Sequence, residues 1–325
     1  MKRLLTWALV GLVLGALGLA DLAAAEPLKI RYSIWVGYGP LFLAREKGYF
    51  KEEKVDVELI NMDDPKEGFF AMSAGRLDGV VSTIDTMVLY LKTGKEFQYV
   101  LALDDSAGGD AIVSRKEIKS VKDLKGKKVA FAEGSVSQFF LNVLLRESGL
   151  SQKDVEAVNM KPGDAGAAFV AEKVDAAVTW EPWVTKSKNT KHGHVLVDSS
   201  KTPGLITDVL IFRRDVIEKR GKEIQGVVNA WNKAVAYWEK NTSESNEIMA
   251  KGLGDWLKDP KVFAETLSGV KFYNRAGNVK FFGSGQKPGD MYKVVQNALD
   301  IWQSFGRLQA KGVTARDLVN HSFVK

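Results

Sequence analysis

The sequence predicts an α/β protein of two lobes, each a mainly parallel sheet flanked by helices, with a cleft between them. Two observations predict it. Strand-like and helix-like segments alternate from Leu28 onward, which implies parallel strands joined by right-handed crossovers. Near Ser120 the alternation starts again and repeats the punctuation of the first half.

Lys2 and Arg3 precede an apolar run from Leu4 to Ala20, and Ala23-Ala24-Ala25 precedes Glu26. A basic start, an apolar stretch short of the ~20 residues that span a bilayer and a small-residue end read as a secretory signal. Residues 1–25 are assigned to it, with cleavage after Ala25.

LKIRYSI then reads as a strand and WVGYG as a loop. PLFLAREKGYF is helical, with Pro40 suited to a first helical position and Gly48 to a stop. VDVELI, DGVVSTI and FQYVLAL are further strands; PKEGFFAMSAGRL and DTMVLYLKTG are the helices between them. After the short helix SVKDLKG, KKVAFAEGSVSQFFLNVLLRESGL repeats the opening strand, loop, helix and glycine. AFVAEKVDAAVTWEPW parallels FFAMSAGRLDGVVSTID, and Asp78 and Asp175 open the strand of each pair as turn residues. TDVLIFRRDVIEK is a strand returning towards the first lobe, and the chain is mainly helical from Asp215. Val227, Val228, Trp231, Val235 and Trp238 share one helical face, so these tryptophans are assigned to the core, with Trp256 and Trp302.

Composition narrows the function classes. There is no cysteine, which excludes disulfides, thiol nucleophiles, Cys-ligated metals and an N-terminal lipid-modified cysteine. The formal charge is +6, of which Lys2, Arg3 and Asp21 contribute +1. The basic residues are scattered among acids, as on a solvated surface and unlike a nucleic-acid stripe. His192 and His194 lie in a polar loop without nearby acids, so no metal or other cofactor is expected. None of the three histidines (His192, His194, His321) follows a core strand, which argues against a Ser-His-Asp hydrolase.

In open α/β sheets ligands bind beyond the carboxyl ends of strands, where helix N-termini present free N–H groups. The candidates there are Trp35, Tyr38, Asp85, Asp105, Asp110, Ser135, Ser137, Trp180, Glu181, Trp183 and Asp208. Ser135 and Ser137 read equally as a helix cap. Asp105, Asp110 and Asp208 read either as ligand contacts or as hinge residues tying backbone amides.

The segment KIRYSIWVGYGPLFLAREKGYFKEEKVDVELI, with AMSAGRLDGVVST, VKDLKGKKVAF, VDAAVTWEPW and TDVLIFRRDVIEK, resembles the solute-binding proteins of ABC importers for nitrate, sulfonates and taurine. It also resembles their thiamine-precursor-binding relatives. The resemblance implies a type II periplasmic binding protein whose lobes close over ligand about a hinge. The implied crossings fall near 105–114 and 204–210, giving lobe one as 26–108 with 209–325 and lobe two as 109–208. It further implies a periplasmic location, a small-molecule solute, an inner-membrane permease as partner, a monomer and no catalysis. A pyrimidine-precursor synthase shares this fold but relies on cysteines that this chain lacks.

The acids at the strand ends depart from a simple sulfonate or nitrate site, since buried carboxylates repel an anion. Two ligand classes stay open: a zwitterion such as taurine, with its amine near the carboxylates, or a cationic, amidine-like or pyrimidine solute stacked on tryptophan.

Overall fold

The computed structural model describes residues 26–325; the expected signal segment lies outside the described residues. Strands β1 (Leu28–Tyr32), β2 (Val57–Asn61), β3 (Gly79–Thr83), β4 (Phe97–Ser106), β10 (Thr207–Arg213) and β11 (Val270–Phe272) form one sheet in the order β11-β4-β10-β3-β1-β2. Strands β5 (Asp110–Arg115), β6 (Lys128–Phe131), β7 (Glu156–Asn159), β8 (Ala176–Trp180) and β9 (Gly193–Asp198) form the other, in the order β7-β6-β8-β5-β9.

Helices α1 (Gly39–Glu46), α2 (Tyr49–Glu52), α3 (Pro65–Ser73) and α4 (Ile84–Leu89) flank the first sheet. The second carries α5 (Val136–Glu147), α6 (Pro162–Val170) and α7 (Trp183–Lys188). After β10 come α8 (Arg214–Lys240), kinked at Arg220, then α9 (Thr242–Leu253), α10 (Pro260–Leu267), α11 (Arg275–Phe282), α12 (Asp290–Ser304) and α13 (Ala315–Leu318).

The halves are built alike. Parallel β2-β1-β3 is followed by antiparallel β10 and then β4; parallel β7-β6-β8 is followed by antiparallel β5 and then β9. At the end away from the cleft, Asp78 accepts from the Lys29 N–H and Asp175 from the Lys128 N–H, both at 2.9 Å. These are the same turn bond made once per half. Every residue of β3 is buried, as expected of a strand with both faces covered.

The sheets are mixed, because the strand entered after each crossing, β5 or β10, runs against its neighbours. The chain leaves the first sheet after Ser106, enters the second at Asp110 and returns through 199–206. Asp208 therefore belongs to the first sheet, not to the second lobe as 109–208 divides it. Two local expectations also shift. The helix read over 85–94 ends at Leu89, because Glu96 accepts from the Lys92 and Thr93 N–H groups and fixes a turn. Strand β11 interrupts the region read as helical.

A shared apolar seam joins the halves. Phe139 and Val143 of α5 pack into the core of the first sheet, where Phe139 meets Trp302 of α12 at 5.5 Å between rings. Trp231 and Trp302 are fully buried, and Trp238, on the same helical face as Trp231, is partly buried against the same core. Ser199 ties the two crossings together. Its Oγ lies 2.8 Å from the Ser106 Oγ and accepts from the Gly108 N–H at 2.8 Å.

Candidate functional site

A cavity of about 1050 Å³ lies where the carboxyl ends of β1, β3, β6, β7 and β8 meet the first residues of β5 and β10. Seven of the expected site residues line it: Trp35, Tyr38, Asp110, Ser135, Trp180, Trp183 and Asp208. The other four, Asp85, Asp105, Ser137 and Glu181, are not among the lining residues; Asp85, Asp105 and Glu181 have side-chain partners, whereas the Ser137 hydroxyl is buried without one. Asp85 is buried in the first turn of α4 beside Thr86, whose hydroxyl lies 3.3 Å from it. Asp105 accepts from the Thr207 hydroxyl at 2.6 Å and the Tyr273 hydroxyl at 2.8 Å, across the β4–β10 ladder and β11. The Ser137 N–H donates to Ser135 Oγ at 3.2 Å. Glu181 accepts from the N–H and hydroxyl of Thr185, fastening the start of α7.

The aromatic walls are held by close packing. The indole N–H of Trp35 donates to Asp104 Oδ1 at 3.1 Å, and its ring lies against Gly109, where a Cβ would approach to 2.6 Å. Trp183 rests on Gly166 of α6, where a Cβ would come within 2.4 Å of the Trp183 Cβ. The Lys186 ammonium lies 4.3 Å over the Trp183 ring. Trp256, assigned above to the core, is half-buried: it packs against the core of the first sheet and also lines the cavity. It follows a turn in which Gly254 and Asp255 both have positive φ, a path that the residue pattern of the surrounding helices does not reveal.

On the side of the second sheet, Ser135 caps α5 and lines the cavity. A capped helix N-terminus offers N–H donors and partial positive charge to an anionic group. Across from it lie the acids. The Tyr38 hydroxyl donates to Asp208 Oδ1. Asp104, opposite Asp208 in the β4–β10 ladder, stands behind Trp35 with its Oδ2 buried and unpartnered. Burial is the main cause that raises the carboxyl pKa of each member of this group. It lifts Asp85 to about 7 and Asp110 to about 6. Asp104 and Asp208 stand well above the ordinary value for the same reason, and each feels neighbouring carboxylates.

Arg31, Asp63, Lys66, Glu133, Lys161, Asp164 and Arg307 also line the cavity and were missed. Arg31 is only 2% exposed, and sits mid-strand in β1, where alternation gives no sign of a cleft residue. Its guanidinium donates to the carbonyls of Met62, Val81 and Asp63 at 2.7, 3.1 and 2.9 Å. Three of its five N–H donors thus brace the loop after β2 against β3.

Among the described residues no helix is long and apolar enough to cross a membrane, and no group of three or more acids or histidines is arranged for a metal ion.

A family model described as NMT1/THI5 like matches residues 35–245. Over 306 residues the chain is 26% identical to a protein of Bacillus subtilis (strain 168) provisionally named an aliphatic sulfonates-binding protein, covering 91% of this chain and 87% of the relative. Over 178 residues it is 30% identical to the taurine-binding periplasmic protein of Escherichia coli (strain K12), covering 53% and 51%. The alkanesulfonate-binding protein SsuA from Xanthomonas axonopodis pv. citri, solved bound to MOPS, superposes with a TM-score of 0.72 at 23% identity, covering 92% of this chain and 100% of that one. These relatives are substrate-binding proteins, not enzymes. With two mixed sheets meeting at a strand-end cavity, and a family match over well over half its length, the chain belongs to the NMT1/THI5-like family.

Proposed function

We propose that this protein is the solute-binding component of an ABC importer, and that it captures a small amine-bearing or zwitterionic organic solute in the cleft. The observation that carries the ligand class is the mixed lining of the cavity. An α5 N-terminus capped by Ser135 faces it from the second half, and buried Asp208 from the first half and Asp110 from the start of β5 line it beside the crossings. A zwitterion satisfies both, with its acid group at the helix end and its amine at the carboxylates. Trp35, Trp180 and Trp183 supply apolar area and cation–π attraction for the atoms between. The basic, apolar and small-residue pattern of residues 1–25 supports export with cleavage after Ala25. The periplasmic naming of the taurine-binding relative favours the same compartment, and delivery to a permease follows from the importer reading. Micromolar capture corresponds to about −8 kcal/mol, within reach of a few charge-assisted bonds and one aromatic stack.

The test is a thermal-shift and calorimetric panel of taurine, short amines, guanidinium compounds, pyrimidines, nitrate and methanesulfonate. The amine-bearing members raise Tm and bind stoichiometrically, and Trp180→Ala, though it also trims packing against both cores, leaves a cooperatively folded protein that binds them more weakly. Saturable binding of nitrate and methanesulfonate with no response to any amine refutes the ligand class. Silence across the whole panel refutes the capture reading.

A further inference from the structure

Asp208 and Asp110 occupy matching positions of the internal repeat. Asp208 lies opposite Thr83, the last residue of β3; Asp110 lies opposite Trp180, the last residue of β8. β3 and β8 are the equivalent strands of the two halves, and β10 and β5 are the equivalent antiparallel strands. Each half therefore sends one acid into the cavity from the strand that follows a crossing. Asp110 is 7% exposed and Asp208 3%, and both line the cavity.

Neither has a cationic partner among the described ion pairs. Asp208 receives the Tyr38 hydroxyl on one oxygen. At Asp110 it is the backbone N–H, at 3.2 Å, that uses the Ser106 hydroxyl. The titratable and charged groups around the pair are Arg31 from β1, Tyr38 before α1, Asp85 from α4 and Tyr99, Asp104 and Asp105 from β4. Lys271 and Tyr273 stand beyond Asp105, and Glu181 and Asp198 flank β5. Asp85, Asp104, Asp110 and Asp208 are buried, whereas Lys66, Lys161 and Arg307 line the cavity outside the buried set. The buried guanidinium, Arg31, interacts with Asp208, Asp63 and Asp64 and is already bonded to three carbonyls. Buried carboxylates in this excess must hold protons or meet a cation from outside. The amine-bearing solute proposed above supplies such a cation through its N–H donors.

We infer that the ligand's cationic group is clamped between Asp208 and Asp110, one carboxylate from each half, and that it displaces a proton which the empty pair retains. The inference rests on the amine-bearing reading above. In the exchange a carboxyl O–H bond breaks, the proton leaves to buffer, and a ligand N–H donates to the freed carboxylate. One positive charge enters as one leaves, so the buried charge count is unchanged. The upward displacement of both carboxyls by burial, and of Asp208 by Asp110 as well, has the direction this exchange needs. It makes capture tighten as pH rises, up to about tenfold per pH unit for one linked proton.

Calorimetry of the full chain in two buffers of different ionisation heat tests this, with methylguanidinium, methylammonium, taurine and methanesulfonate as probes. The cationic and zwitterionic probes are expected to release about one proton near pH 6 and to bind more tightly at about pH 8. Asp110→Asn abolishes the buffer dependence for methylguanidinium and weakens it tenfold or more at the higher pH. Infrared spectra of the unliganded protein near pH 6 show a protonated-carboxyl stretch that fades as methylguanidinium is added. Cationic probes that bind with buffer-independent heats and an unchanged carboxyl stretch overturn the proton exchange while leaving the amine-bearing reading intact. Binding of methanesulfonate alone, or of no probe, overturns both.

Discussion

Asp85→Asn should stabilise the protein at neutral pH. Asp85 is 1% exposed, one carboxylate oxygen has no partner, and burial raises its pKa from 3.8 to about 7. Below the unfolded value the side chain is neutral in both states and contributes no pH dependence. Between 3.8 and about 7 the folded chain keeps a proton that the unfolded chain releases, so stability falls as pH rises. Above that window the loss is complete. A difference of this size corresponds to about 4 kcal/mol, an upper figure for a group coupled to Asp110. Asparagine has nearly the same shape and no charge, so the variant and the parent should be of similar stability near pH 4 and diverge by up to about 4 kcal/mol by pH 8. In a protein of this size that is a Tm gain of several degrees. Denaturant unfolding of both chains, without added solute, across that pH range is the assay. A variant less stable at pH 8, or a difference that does not change with pH, refutes the claim that Asp85 is held at a cost in charge.

Three further outcomes follow from the geometry. Gly37→Ala places a Cβ 2.1 Å from Asp104 Oδ2 and 2.4 Å from Trp35 Nε1; it should cost about 1–3 kcal/mol of stability and displace the Trp35 wall, read by denaturant unfolding and tryptophan fluorescence. Ser199→Ala removes the acceptor of the Gly108 N–H and the partner of Ser106, a loss of about 1–3 kcal/mol, with faster amide hydrogen exchange at 106–110 as the local readout. Phe139→Ala empties the seam against Trp302 and should cost about 3–5 kcal/mol in unfolding free energy.

The parts of the fold that the sequence discloses are those governed by local patterning. Alternating strands and helices, the repeat, and the paired turn acids Asp78 and Asp175 follow from residue order and burial alone. The mixed character of the sheets was hidden, because an antiparallel strand such as β10 has the same apolar run as a parallel one. The site divides along the same line. Trp35, Ser135, Trp180 and Trp183 follow strands and open helices or turns, so position in the chain predicts them. Asp85 and Glu181 have that position too, but α4 turns the first into the core and α7 uses the second to anchor Thr185. Arg31 and Trp256 reach the cavity through a mid-strand side chain and a strained turn, neither of which a linear pattern marks.

The proposed preference for a positively charged group rests on two residues rather than on the fold. A helix N-terminus and a pair of acids face one cavity, so the architecture alone is compatible with either charge. Asp110 begins the strand entered by the first crossing, and Asp208 is the second residue of the strand entered by the other. Their charge therefore acts on the segments that join the halves, beside the Ser106–Ser199–Gly108 bonds that hold those segments together. A fully ionised pair there would repel itself, and on the proton-exchange proposal the retained proton in the unliganded cleft and the cation in the occupied one both avoid that repulsion. An anion in the same place adds a negative charge to a pair of acids at low dielectric. On the proposed exchange, the same pair of acids that takes the cation lies at the ends of the segments joining the halves, so binding and the geometry of the crossings are coupled through one electrostatic contact.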